Sequence, residues 1–71
     1  MKKLFLNLTN ANPIYRDRPL SLRKDLVINV HANTVLRDDG SSELVSFVFL
    51  PPHGSWEVLE TYDEIMQQLE E

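Results

Sequence analysis

The chain has 71 residues, no cysteine, two histidines and a formal net charge of −4. That length makes one domain, residues 1–71, with a thin core, because a chain near this size buries only about 60% of its unfolded surface. The lack of cysteine excludes a disulfide or a thiolate zinc site as reinforcement, which leaves close packing or self-association as a homo-oligomer, a dimer or larger.

Met1-Lys2-Lys3-Leu4-Phe5-Leu6 opens like a signal peptide, but Asn7, Thr9, Asn10 and Asn12 interrupt it before a long apolar run forms. No run approaches the roughly 18 apolar residues of a membrane span. The expectation is a soluble cytoplasmic protein with no membrane partner. Leu4, Leu6 and Leu8 alternate with Phe5 and Asn7, as in a strand buried on one face. Thr9-Asn10-Ala11-Asn12-Pro13 is turn chemistry, and Ile14-Tyr15-Arg16 is expected to return as a short second strand. After Asp17-Arg18-Pro19, the alternation of Leu20 and Leu22 with Ser21 and Arg23 fits either a short strand or an irregular connection. Leu26-Val27-Ile28-Asn29-Val30 is β-branched and short, a strand that ends near His31 or continues past a bulge to Val35-Leu36.

Asp38-Asp39-Gly40-Ser41-Ser42 is the strongest turn signal, an Asp-Gly pair between two apolar runs. Leu44 to Leu50 is apolar on both faces except at Ser46, as a central strand buried on both sides would be. One face belongs under a helix and the other under a partner subunit or the N-terminal segments. Pro51-Pro52-His53-Gly54 turns the chain into a last strand, Ser55 to Glu60, that is expected to run into a helix with no loop between them. Thr61 followed by Glu64 is a capping box, and Tyr62, Ile65, Met66 and Leu69 form one apolar stripe at helical spacing. The reading is α+β: a small antiparallel β-sheet of four to five strands in a meander, packed by one C-terminal α-helix over about residues 61–70.

Catalytic chemistry finds little to stand on. His31 and His53 have no metal-ligand spacing, and Gly40 and Gly54 belong to no phosphate-binding pattern. The carboxylates Glu57, Glu60, Asp63, Glu64, Glu70 and Glu71 read as a solvated acidic face, because one helix over a small sheet offers no cleft to set two of them opposed. The expectation is a protein that is not an enzyme and that has no metal, no cofactor and no catalytic residue. All seven basic residues lie within the first 37 positions, whereas Ser41 onward holds seven acids and no Lys or Arg. Arg16, Arg18, Arg23 and Lys24, with Tyr15 for stacking, are therefore the candidate contacts for nucleic acid, against the net negative charge. Phe5, opposite the leucines of the first strand, and Phe47, in the doubly apolar strand, are the candidate contacts for a protein partner.

Two segments carry a resemblance: Leu8-Thr9-Asn10-Ala11-Asn12-Pro13-Ile14-Tyr15 and Val58-Leu59-Glu60-Thr61-Tyr62-Asp63-Glu64-Ile65. They resemble the small FlbD-like proteins of flagellar gene clusters, among them the swarming-motility SwrD proteins, and similar short bacterial and phage proteins. That pattern opens with an apolar strand ending in Leu-Thr and an Asn-containing turn. It closes with a strand ending in Val-x-Glu-Ser/Thr before a helix. Here the turn lacks the usual Asn-Gly, and the middle from Asp17 to Ser42 is longer and more basic. The resemblance implies the same fold and a non-enzymatic accessory role, and it supplies no catalytic residue. The leading expectation is an interaction module that self-associates through sheet edges or the strand around Phe47. The alternative is a nucleic-acid-binding regulator using residues 16–24.

Overall fold

Period-two alternation organises the first half of the chain. In the computed structural model, which describes residues 3–71, β1 (Phe5–Thr9) buries Leu6 and Leu8 and leaves Phe5 and Asn7 outside, whereas Leu4, expected on the buried face, precedes the strand and is 65% exposed. Met1 and Lys2, the start of the signal-like segment and the first of the basic residues, lie outside the described residues. The partner of β1 is β2 (Pro19–Arg23), antiparallel, with Leu6 opposite Leu22 and Leu8 opposite Leu20. The alternation around Leu20 and Leu22 thus marks a strand, with Pro19 at its first position, where a missing N–H does least harm.

Ile14-Tyr15-Arg16 is not the returning strand. Residues 13–17 are a run of turns held by local bonds, Ile14 N–H to Asn12 Oδ1 at 2.9 Å and Tyr15 N–H to the Asn12 carbonyl at 3.0 Å. The loop closes where Asp17, at φ 69°, donates to the Asn10 carbonyl. Asn12 captures its neighbours' N–H groups before a ladder can, which is how short polar side chains compete with extended structure.

After a turn of 3-10 helix at Lys24–Leu26, β3 (Asn29–Leu36) runs without a bulge, so His31 lies inside a strand and not at its end. Leu26 to Ile28 precedes it. The Asp-Gly turn joins β3 to β4 (Ser42–Leu50), and Gly40 takes a positive φ of 88° in the tip. A proline turn at residues 51–53 leads to β5 (Gly54–Val58). The sheet order is β3-β4-β5, antiparallel throughout, with β4 central. The five strands therefore form two antiparallel sheets, of two and three strands, and not one meander. They meet where Asn10 bridges Val58, Ala11 N–H reaches the Glu57 carbonyl and Leu59 N–H reaches the Thr9 carbonyl. The break falls between β2 and β3, where the turn of 3-10 helix takes the chain out of the first sheet and into the second.

Three residues, Leu59 to Thr61, separate β5 from α1 (Tyr62–Glu70), so strand and helix are not continuous. The capping box is formed: Glu64 N–H donates to Thr61 Oγ1 at 3.1 Å, and Thr61 N–H donates to Glu64 Oε1 at 3.0 Å. Those hydrogen bonds hold the Glu64 carboxyl below its ordinary range. Thr61→Ala is expected to cost about 1 kcal/mol of stability, read as a lower urea midpoint with an unchanged slope. Ile65 is fully buried and completes a core made with Leu6, Leu8, Leu22, Val48, Leu50 and Val58. Leu20, Val27, Val30, Trp56 and Leu69 pack around that core. The even-numbered side of β4 is thus the core side, and the helix lies over one end of it.

Candidate interaction surface

Each sheet edge meets a different fate. Along β1 the edge away from β2 is closed by side chains from the end of the chain. Asn7 N–H donates to Gln68 Oε1 at 2.8 Å, and Gln68 Nε2 returns a bond to the Asn7 carbonyl at 2.9 Å. Thr9 donates its N–H and its hydroxyl to the two oxygens of Glu60, at 2.8 and 2.9 Å. Gln68 and Glu60 stand in for a neighbouring strand. The edge of β2 is short and carries Pro19 and Arg23, two ordinary deterrents to further pairing.

β3 has neither device. It is eight residues long, pairs only with β4, and contains no Pro and no charged residue. Its outward-facing groups follow from the ladder. The Glu57 carbonyl is turned away from β4, since it accepts from Ala11, so Phe47 opposite it turns its own polar groups toward His31. Arg37 N–H, continuing the odd-numbered series, donates to the Ser41 carbonyl at 2.8 Å. Odd residues of β3 therefore bond to β4, and Val30, Ala32, Thr34 and Leu36 present N–H and C=O to the free edge. Thr34 N–H, at 2.9 Å from Asn33 Oδ1, is directed accordingly.

Beside this edge the core side of the hairpin outruns the helix. Ala32, Thr34, Leu36 and Leu44 are exposed, Leu36 by 77% and Leu44 by 68%. Two shallow hollows flank them and share Tyr62: one runs between β3 and the helix along Val27, Ile28, Val30 and Met66, the other along Ala32, Leu44 and Leu59. Together they make an apolar strip beside a bare strand edge.

The opposite side of the sheet is covered in part by the turn-rich loop. Arg37 pairs with Glu43 at 2.8 Å and with Glu57 at 2.6 Å, and donates to the Ala11 carbonyl at 3.2 Å. Arg16 forms a two-pronged pair with Glu43, at 3.0 and 2.6 Å. Hydrogen bonds from Arg16 and Arg37 pull the Glu43 carboxyl down to about 2. Bonds to Glu57 and then Glu43 raise the Arg37 guanidinium. This network ties residues 11–16 to the sheet. Val45, on the same side, is 2% exposed, so part of the second face of β4 is covered from within the chain.

The sites expected from the sequence scatter. Phe5 is 44% exposed on β1, opposite Arg23. Phe47 is half-buried and stacks on His31 with ring centroids 5.2 Å apart. Tyr15, exposed in the loop, shares a hollow with Phe47, His53 and Trp56; the Trp56 indole N–H is buried without a hydrogen-bond partner. Arg23 pairs with Asp25 at 2.8 Å, and Lys24 donates to the Glu71 carbonyl at 3.2 Å. Arg18 serves through its backbone, its carbonyl accepting from Asn10. The four cations therefore do not make one basic face: Arg16 sits by the hairpin, whereas Arg23 and Lys24 lie at the far end of β2. The bare edge of β3 was missed, although its signal, eight consecutive residues without a charge, stands in the sequence. The Arg37 network had no such signal, because its members are spread over 42 positions from Arg16 to Glu57.

Among the described residues no three His, Cys, Asp or Glu side chains gather to hold a metal ion, and no helix is long and apolar enough to cross a membrane. The fold that results is α+β, with two antiparallel sheets and one C-terminal helix. Comparison with protein-family models, with curated proteins and with solved structures gives no match to this chain.

Proposed function

We propose that this protein is a non-enzymatic interaction module that self-associates, an accessory protein of the kind its resemblance to the small FlbD-like proteins implies. One observation carries the reading: among the described residues, the one long strand edge with no Pro and no Lys, Arg, Asp or Glu, covered only where Asn33 Oδ1 takes the Thr34 N–H, lies beside exposed Leu36 and Leu44. A small monomer that leaves both open is exposed to edge-to-edge pairing, which proteins ordinarily block. A nucleic-acid role for residues 16–24 has less behind it, because Arg16 and Arg23 are spent on carboxylates.

The test is the mass in solution by light scattering behind a sizing column, across a micromolar concentration series. The expected mass is at least twice the 8.3 kDa of one chain. Leu36→Lys combined with Leu44→Lys is expected to return the protein to a monomer with unchanged far-UV circular dichroism. A concentration-independent monomer for the unmodified chain would overturn the reading.

A further inference from the structure

Resting on that reading, we infer that the partner of the β3 edge is β3 of a second copy, antiparallel across a two-fold axis at Asn33, so that the two three-stranded sheets become one of six strands. An isologous contact must satisfy itself, and this edge does so in one register. Antiparallel pairing sets outward-facing residues against outward-facing residues, which leaves two centred choices, Ala32 facing its own copy or Asn33 facing its own copy. The Ala32-centred choice leaves Leu36 needing the N–H of residue 28, and Ile28 N–H already donates to the Phe49 carbonyl at 3.1 Å. With Asn33 centred, Val30 meets Leu36 of the second copy and Ala32 meets its Thr34. All four outward-facing residues then find both partners.

The side chains agree with that register. On the core side the apolar Val30 and Leu36 come together at both ends of the shared strip, and the small Ala32 and Thr34 meet in the middle, a cross-strand pattern that buries Leu36. On the other side the two Asn33 carboxamides face each other. Each has to leave its Thr34 N–H, which it now accepts at 2.9 Å, and that N–H is then taken over by Ala32 of the second copy. Charge on the strand does not oppose a copy. The chain carries −4 overall, but β3 itself has no Lys, Arg, Asp or Glu to face its twin. An unrelated extended peptide would be offered the same backbone groups but not this matched side-chain pattern.

Ala32→Pro removes an outward-facing N–H and leaves the ladder to β4 intact, so it is expected to abolish the dimer in light scattering while circular dichroism stays native. The absence of native cysteine gives a second readout that does not depend on that variant folding. Oxidised Asn33→Cys is expected to run as a covalent dimer on a non-reducing gel, since facing residues of a non-hydrogen-bonded pair sit about 4.5 Å apart at Cα, within disulfide reach. Asn29→Cys, which lies eight positions along the strand from its own copy, about 26 Å away, is expected to stay monomeric under the same oxidation. A dimer that survives Ala32→Pro, or one in which Asn33→Cys fails to cross-link or Asn29→Cys cross-links equally, would overturn this geometry and leave self-association standing. A monomeric unmodified chain would overturn both.

Discussion

Ile65→Ala is expected to remove about 2–5 kcal/mol of stability, the usual cost of cutting a fully buried aliphatic side chain back to its Cβ. Ile65 is the one helix residue with no exposure, and it meets both sheets at once, through Leu6, Leu8 and Leu22 on one side and Val48, Leu50 and Val58 on the other. A chain of this length holds roughly 0.05–0.15 kcal/mol per residue, so the loss is of the same order as the whole. The urea midpoint should fall steeply or the transition should disappear. Ile14→Ala, at a position 78% exposed, is the matching control and should shift stability by no more than about 0.5 kcal/mol. Equal effects at the two positions would mean that the helix does not close the core.

Arg37→Met should lower the melting temperature by a few degrees at pH 7 and flatten the acid limb of the stability curve. Arg37 joins two carboxylates and the Ala11 carbonyl, and its removal leaves Glu57, 16% exposed at the side chain, without the cation that neutralises it. The sign of the pH effect follows from Glu43. Its carboxyl is depressed in the folded state to about 2, mainly by hydrogen bonds from Arg16 and Arg37. Its contribution is therefore whole above the ordinary carboxylate range and is lost as the pH falls through that range toward 2. The unmodified protein should weaken over that interval more than the variant, which has already lost half of the arrangement. Thermal melts of both proteins from pH 7 to pH 2 measure this. Parallel curves would show that the network is screened surface charge that leaves stability untouched.

The same network bears on function through what it hides. It fastens residues 11–16 to the odd-numbered side of β4, the side on which Val45 is buried. On the proposed reading, the interface then falls on the edge of β3 and on Leu36 and Leu44. This moves the expected interface away from Phe47, whose ring is half-buried against His31.

Local chemistry determined much of the molecule without help. The capping box at Thr61 and Glu64, the Asp-Gly turn, the alternation of Leu6 and Leu8 with Phe5 and Asn7, and the apolar run of β4 each act within a few residues. Each formed where its own residues direct it. Short apolar runs and polar turns were less decisive. Ile14-Tyr15-Arg16 has the residues of a strand, yet Asn12 and Asn10 claim the nearby N–H groups. Residues 59–60 look like the continuation of β5, yet Leu59 N–H goes to the Thr9 carbonyl and the Glu60 carboxylate to Thr9. Only the tertiary structure decided those competitions, along with the division into two sheets, the pairing of Arg37 with Glu43 and Glu57, and the choice of which edge stays open. Each depends on groups many positions apart in the chain, and no periodicity within a segment records who its distant neighbour will be.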